Sequence, residues 1–152
     1  MQDIELEQAV EILLAHASPV TETEDVPLLD AVGRVAAEDI KAGFDNPPFD
    51  RSPLDGYTFA AASTRMATAE SPVTLRVVAE ECAGDFFAGT VGAGECVRIM
   101  TGGAIPKGCD CVVRQEDVRE DGDAIRVPFT SKPYENYCYA GEDIKKGNLL
   151  VR

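Results

Sequence analysis

Residues 95–129 read ECVRIMTGGAIPKGCDCVVRQEDVREDGDAIRVPF, and their texture decides the fold. Three apolar runs, Glu95–Met100, Asp110–Gln115 and Asp123–Phe129, have the length and β-branched content of strands. Glu120–Asp123 (EDGD) reads as a tight turn between the last two. Upstream, Gly84, Gly89, Gly92 and Gly94 punctuate the approach to Cys96. Pro72–Ala79 predicts another strand, with its proline tolerated at the first position. Tyr57–Phe59 predicts a short strand and Ala60–Thr64 a helical turn. Residues 44–54 (FDNPPFDRSPL) carry Pro47, Pro48 and Pro53 and exclude a regular element. Several short strands at this spacing indicate a small, barrel-like all-β lobe.

The flanks differ. Near Gly43 a helix-like composition gives way to Gly, Pro, Val and Thr, and residues 1–45 hold eleven acids against two bases. Asp3 is placed to cap a helix whose apolar positions are Leu6, Val10, Leu13 and Ala17, widened by Ala9 and Leu14. Pro19 stops it. Residues 28–40 are interrupted by Gly33, which predicts a helical turn at 28–32 and an extended arm at 34–40. Residues 141–152 (GEDIKKGNLLVR) have a turn-then-strand texture suited to pairing with that arm. The predicted class is mainly β with minor α: an elongated two-segment stalk carrying an inserted barrel-like β lobe, plus an N-terminal amphipathic helix. The boundaries are 1–20 for the helix, 21–42 and 141–152 for the stalk, and 43–140 for the lobe.

The 152-residue chain carries 27 acids and 14 Lys and Arg, a formal charge of -13. Such a field opposes a general phosphate-backbone binder, so no nucleic-acid partner is expected. A small anionic ligand held by local donors remains compatible. The apolar runs fall far short of the ~20 residues that cross a bilayer, so no membrane association is expected. Five cysteines cannot all pair within one chain and read as reduced thiols of a cytoplasmic protein. A single histidine excludes a His-rich metal site; His16 sits one residue off the helix stripe, a boundary position without a catalytic partner.

Four places carry chemistry. In Asp50–Tyr57 (DRSPLDGY), two carboxylates, an arginine and a hydroxyl sit in a proline-stiffened loop. The run reads either as a rigid ligand-facing group with Asp55 placed for Mg²⁺, or as an Asx-turn shaping a crossover. Arg98–Pro106 runs a strand into Thr101-Gly102-Gly103, either an anion nest of backbone N–H groups or a glycine-rich turn. Cys109 and Cys111 are too close for an ordinary zinc pair and read as small packed hydrophobes. Gly141-Glu142-Asp143 reads as a metal-facing acid pair or a solvated turn. No cysteine or hydroxyl has a base nearby in sequence, so covalent catalysis has no support.

Taken together, Pro48–Tyr57 (PFDRSPLDGY), Arg98–Asp110 (RIMTGGAIPKGCD) and Gly141–Ile144 (GEDI) resemble the N-terminal part of the MoeA/gephyrin-E family of molybdopterin molybdenumtransferases. The likeness runs from the first helix through Leu28–Arg34 to Arg152. It implies an enzyme part, the chain stopping before most of a large α/β domain onto which the first helix packs. The implied reaction is insertion of molybdate into adenylylated molybdopterin with Mg²⁺, in a cleft that two subunits of a homodimer complete. This chain alone would then be inactive. On the matching motifs the resemblance implies Asp55 and Thr101 as catalytic, Asp55 holding Mg²⁺, and Ser52, Arg98, Gly102 and Gly103 as substrate-binding. The sequence departs from the family pattern at Pro53-Leu54, where Ala-Met is usual, at Thr58, usually alanine, and at Arg114, usually hydrophobic. The alternative is a non-catalytic protein-binding scaffold module of the same family, motivated by the acidic charge and the apolar helix face.

Overall fold

A computed structural model describes residues 4–152. The chain divides into two compact units, Met1–Asp39 and Ile40–Arg152. In the first, helix α1 spans Leu6–His16 with Glu5 at the N-cap position; the expected cap, Asp3, lies outside the described residues. The turn predicted at 28–32 is a 3-10 turn, Leu28–Ala31, followed by Gly33 at φ 80°. Leu6, Val10, Leu13 and Leu14 are all exposed, Leu6 by 74% and Leu13 by 70%. His16 is exposed and its Nδ1–H donates to Ile12 O at 2.8 Å.

The second unit is built on β1 (Ile40–Lys41), β2 (Gly56–Phe59), β3 (Val73–Glu81), β4 (Glu95–Ile99), β5 (Cys111–Arg114), β6 (Arg119–Asp121), β7 (Ala124–Val127) and β8 (Leu149–Val151). β1 and β8 form an antiparallel pair, Ile40 opposite Val151 and Lys41 opposite Leu149. The other six make one sheet in the order β5-β2-β4-β3-β7-β6, all neighbours antiparallel except β3 and β4. The described residues are thus mainly β with one α-helix, and the sheet curls into a half-barrel. The EDGD turn exists, but its partner strand differs from expectation. It closes a hairpin between β7 and the short β6, with Asp121 opposite Ala124, rather than linking 110–115 to 123–129. Arg119–Asp121 holds three charged, exposed residues, so hydropathy gives no sign of a strand there.

Registers explain the core. Side chains alternate across a strand, so Tyr57 and Phe59 share a face with Cys111, Val113 and Cys96, continued through Leu75, Ile125 and Val127. Phe59, Leu75 and Ile125 are fully buried, and each contributes roughly 1.5–3 kcal/mol. Val97, Ile99 and Val112, on the other face, are buried as well, so both sides of β2 are covered. Thr58 is therefore buried too, and its hydroxyl is satisfied by donating to Cys111 O at 2.9 Å.

Glu81, at the end of β3, is a buried carboxyl with 1% exposure. Its Oε2 accepts the Phe87 N–H at 3.0 Å while Oε1 has no partner. Burial raises its pKa, with the Asp85 charge adding to the effect. A carboxyl pKa raised by folding gives stability that is complete below the unfolded pKa and is lost as pH rises through the folded one. Glu81→Gln removes that loss. Melting temperatures measured as pH rises from the ordinary carboxyl range are expected to fall more steeply for the wild type than for Glu81→Gln. On the alkaline side of that titration the variant is expected to melt higher than the wild type, the direction set by the raised carboxyl. Parallel slopes for the two proteins would refute this.

Candidate functional site

Strand order creates the site. β2 begins at Gly56, and its neighbours β4 and β5 run antiparallel to it, ending at Ile99 and Arg114. The residue before β2 and the residues after β4 and β5 must therefore meet at one end of the sheet. They are Asp55, Thr101 (the second residue past β4) and Gln115. Thr101 donates both its backbone N–H and its hydroxyl to Asp55 Oδ1, each at 2.7 Å, and the Gln115 N–H donates to Asp55 O at 3.3 Å. These bonds from Thr101 hold the Asp55 carboxyl below its ordinary pKa, helped by the Arg98 guanidinium. Asp55 is ionised at neutral pH.

The two motifs singled out by sequence thus join directly, although 46 residues separate them. Asp55, Thr101, Arg114, Gln115, Glu116 and Asp117 line one open groove of about 390 Å³, with Pro53 and Leu54 forming the remaining wall. Arg98 approaches from the Tyr57 side: the two are register partners, and the Arg98 Nε is buried without a hydrogen-bond partner. Tyr57 OH donates to Glu120 Oε1 at 2.6 Å, and burial followed by that bond pushes its pKa up to about 12.

Three of the expected site groups make hydrogen bonds within the chain. Ser52 is buried, and its hydroxyl donates to Leu54 O at 2.5 Å and accepts Leu54 N–H at 3.3 Å, bracing the turn around Pro53. Gly102 N–H donates to Ser52 O and Gly103 N–H to Met100 O, both at 2.8 Å, as in the glycine-rich-turn reading of this run. A backbone donor engaged within its own turn has no hydrogen left for an external anion. The Thr101 hydroxyl and amide point at Asp55 rather than outward.

Other candidate side chains bond or pack within the chain. Asp50 accepts from Tyr137 OH at 2.6 Å and from Ala140 N–H at 2.8 Å, tying the proline loop to residues 137–140. Glu142 accepts the Tyr139 N–H at 3.0 Å as part of a turn. Cys111 is in the core, and burial pushes its thiol up to about 12 and that of Cys109 to about 11, so neither is a thiolate at neutral pH. All five cysteines are free. No helix of the described residues is long and apolar enough to cross a membrane. Sequence reasoning passed over Gln115, Glu116 and Asp117 as groove residues. An acid pair just after a predicted strand end was the available signal, but only sheet order brings it beside Asp55.

The donor set can be tested against Mg²⁺. Among the described residues no three His, Cys, Asp or Glu side chains converge as a ligand cage. One Asp55 oxygen accepts from Thr101, which leaves Oδ2, with Glu116 and Asp117 in the same groove. Magnesium commonly takes one or two carboxylates and completes its shell with waters and substrate phosphates. The groove fits such a partial set.

Comparison with known proteins adds an independent line. Residues 4–152 match the family model described as the MoeA N-terminal region (domain I and II). The chain is 37% identical over 148 residues to the molybdopterin molybdenumtransferase of Haemophilus influenzae, covering 96% of this chain and 35% of that protein. It is 37% identical over 142 residues to the enzyme of the same name from Bacillus subtilis, covering 91% and 33%. The crystal structure of the molybdopterin biosynthesis moeA protein from Pyrococcus horikoshii OT3 superposes with a TM-score of 0.90 at 42% identity, over 96% of this chain and 38% of that one. The chain spans about a third of the length of these relatives.

Proposed function

Because the chain belongs to the MoeA N-terminal-region family, we propose that it supplies one wall of the active cleft of a molybdopterin molybdenumtransferase. The reaction we assign to the complete enzyme is insertion of molybdate into adenylylated molybdopterin, in the cytoplasm, by a homodimer. The chain alone is inactive. The observation that carries this reading is the double hydrogen bond from Thr101 to Asp55 at the mouth of an open, charged groove. An ionised carboxylate held rigidly by two donors is a pre-organised group of the kind that positions a cation or a developing charge. In this assignment Thr101 acts by orienting Asp55, and Arg98, with its unpartnered Nε, offsets negative charge behind it. Asp55 Oδ2 is the atom to hold Mg²⁺, which when bound supplies Lewis-acid polarisation of an oxyanion. Residues 21–42 and 141–152 are read as the stalk; the Ile40–Lys41 pairing with Leu149–Val151 supports the closing of the two segments.

The deciding experiment is a chimera carrying this chain in place of the matching N-terminal third of the Haemophilus influenzae relative. It is expected to form molybdenum cofactor from molybdate and adenylylated molybdopterin, while the 152-residue chain alone does not. A folded chimera with no activity would overturn the assignment and favour the scaffold alternative, for which the exposed apolar face of α1 is the specific observation.

A further inference from the structure

The geometry points to Arg114 as the oxyanion-recognising residue of the Asp55 groove, an inference that rests on the proposed function. Three facts place it. Arg114 is the last residue of β5 and stands opposite Gly56, so its Cα is anchored beside the residue that follows Asp55. That closeness exists only because residue 56 lacks a side chain: a Cβ there would lie 3.1 Å from the Arg114 Cα and 1.8 Å from Val113 O. Arg114 is also exposed and lines the groove together with Asp55 and Thr101. The ion pairs of the described residues engage Arg34, Arg76 and Arg126, and none engages Arg114.

Charge makes the placement consequential. The groove wall carries three carboxylates, Asp55, Glu116 and Asp117, and Arg114 is its single cation. Arg114 offsets part of that negative charge and is where an anion meets a positive group on this wall. There a planar guanidinium with five donors meets a tetrahedral oxyanion at one defined spot, in a geometry that lysine cannot copy. The ligand class is a tetrahedral oxyanion, from either a nucleotide phosphoryl group or molybdate itself.

The test uses the 152-residue chain, which needs no turnover. Sodium molybdate and AMP are titrated separately into ¹⁵N-labelled protein, following the Arg114 side-chain Nε–H and the Thr101 and Gln115 amides. Saturable shifts at these groups are expected with at least one of the two, and which one names the source. Arg114→Gln is expected to weaken that binding about tenfold or more, the usual effect of losing a charge-assisted hydrogen bond. Arg114→Lys is expected to restore only part of it. An unchanged melting temperature for the variants excludes a folding defect, since the side chain is exposed. No shift with either anion, or equal affinity in Arg114→Gln, overturns the inference. The outcome is separable from that of the proposed function: a chimera that turns over normally beside an anion affinity indifferent to Arg114 discards this residue alone.

Discussion

Asp55→Asn is expected to slow molybdate insertion by the chimera about a hundredfold or more, with little change in its melting temperature. Asparagine keeps the size of the side chain and an Oδ1 that still accepts from the Thr101 amide and hydroxyl. It removes only the negative charge, the property that Thr101 and Arg98 maintain by holding the carboxyl below its ordinary pKa. Losing a pre-organised charged group of this kind costs about 10²–10³ in turnover. Thr101→Ala keeps the amide bond and loses the hydroxyl bond, so a smaller drop, of about tenfold, is expected. The double variant is expected to be no slower than Asp55→Asn alone, because groups acting as a unit are not additive. Rates for Asp55→Asn equal to those of the unsubstituted chimera would falsify the site assignment. The pH sense is also fixed: a carboxyl depressed by folding stabilises above its unfolded pKa and loses that contribution as pH falls through the folded one. The clamp is therefore intact at neutral pH and opens only in acid, and Asp55→Asn abolishes that acid dependence.

Gly56→Ala is the substitution expected to damage the fold most. The added methyl would stand 1.8 Å from Val113 O, 2.9 Å from its carbonyl carbon and 3.1 Å from Arg114 Cα. All three are backbone atoms, which cannot rotate away as a side chain would. β5 must then separate from β2, breaking the ladder from Gly56–Arg114 to Phe59–Cys111 and exposing part of the core. The expected loss is about 3 kcal/mol or more, at the upper end of overpacking costs. A denaturant titration reads it as a lower midpoint, and hydrogen exchange reads it as faster exchange of the β2 and β5 amides. A midpoint indistinguishable from the wild type would show that β5 can shift freely. The same displacement would carry Arg114 off the groove, so any soluble Gly56→Ala protein should also bind oxyanions more weakly.

Legibility in the sequence followed the strength of local signals. Strands with β-branched, apolar runs, such as β3, β4, β5 and β7, lie within the predicted stretches or within two residues of them. Hairpin strand β6 was invisible because its three residues are charged and its pairing comes from the neighbour rather than from its own hydropathy. The glycine-rich turn after β4 was legible as a turn, but composition made it look ready for anions. Only hydrogen-bond partners reveal that its amides are already engaged.

By itself, the sequence determined that the chain is mainly β and strongly acidic, and it marked Asp55 and Thr101 as candidates. These properties reside in composition, local periodicity and motif, all carried by neighbouring residues. Tertiary structure alone decided that Asp55 and Thr101 share hydrogen bonds, that Ser52 is buried in its own turn, and that Arg114 faces the groove beside Glu116 and Asp117. The reason is strand order. Antiparallel pairing of β2 with both β4 and β5 sets which termini meet, and that pairing is fixed by burial on both faces of β2 and by the missing side chain at Gly56. Neither condition can be computed from one segment, because each depends on where distant strands lie.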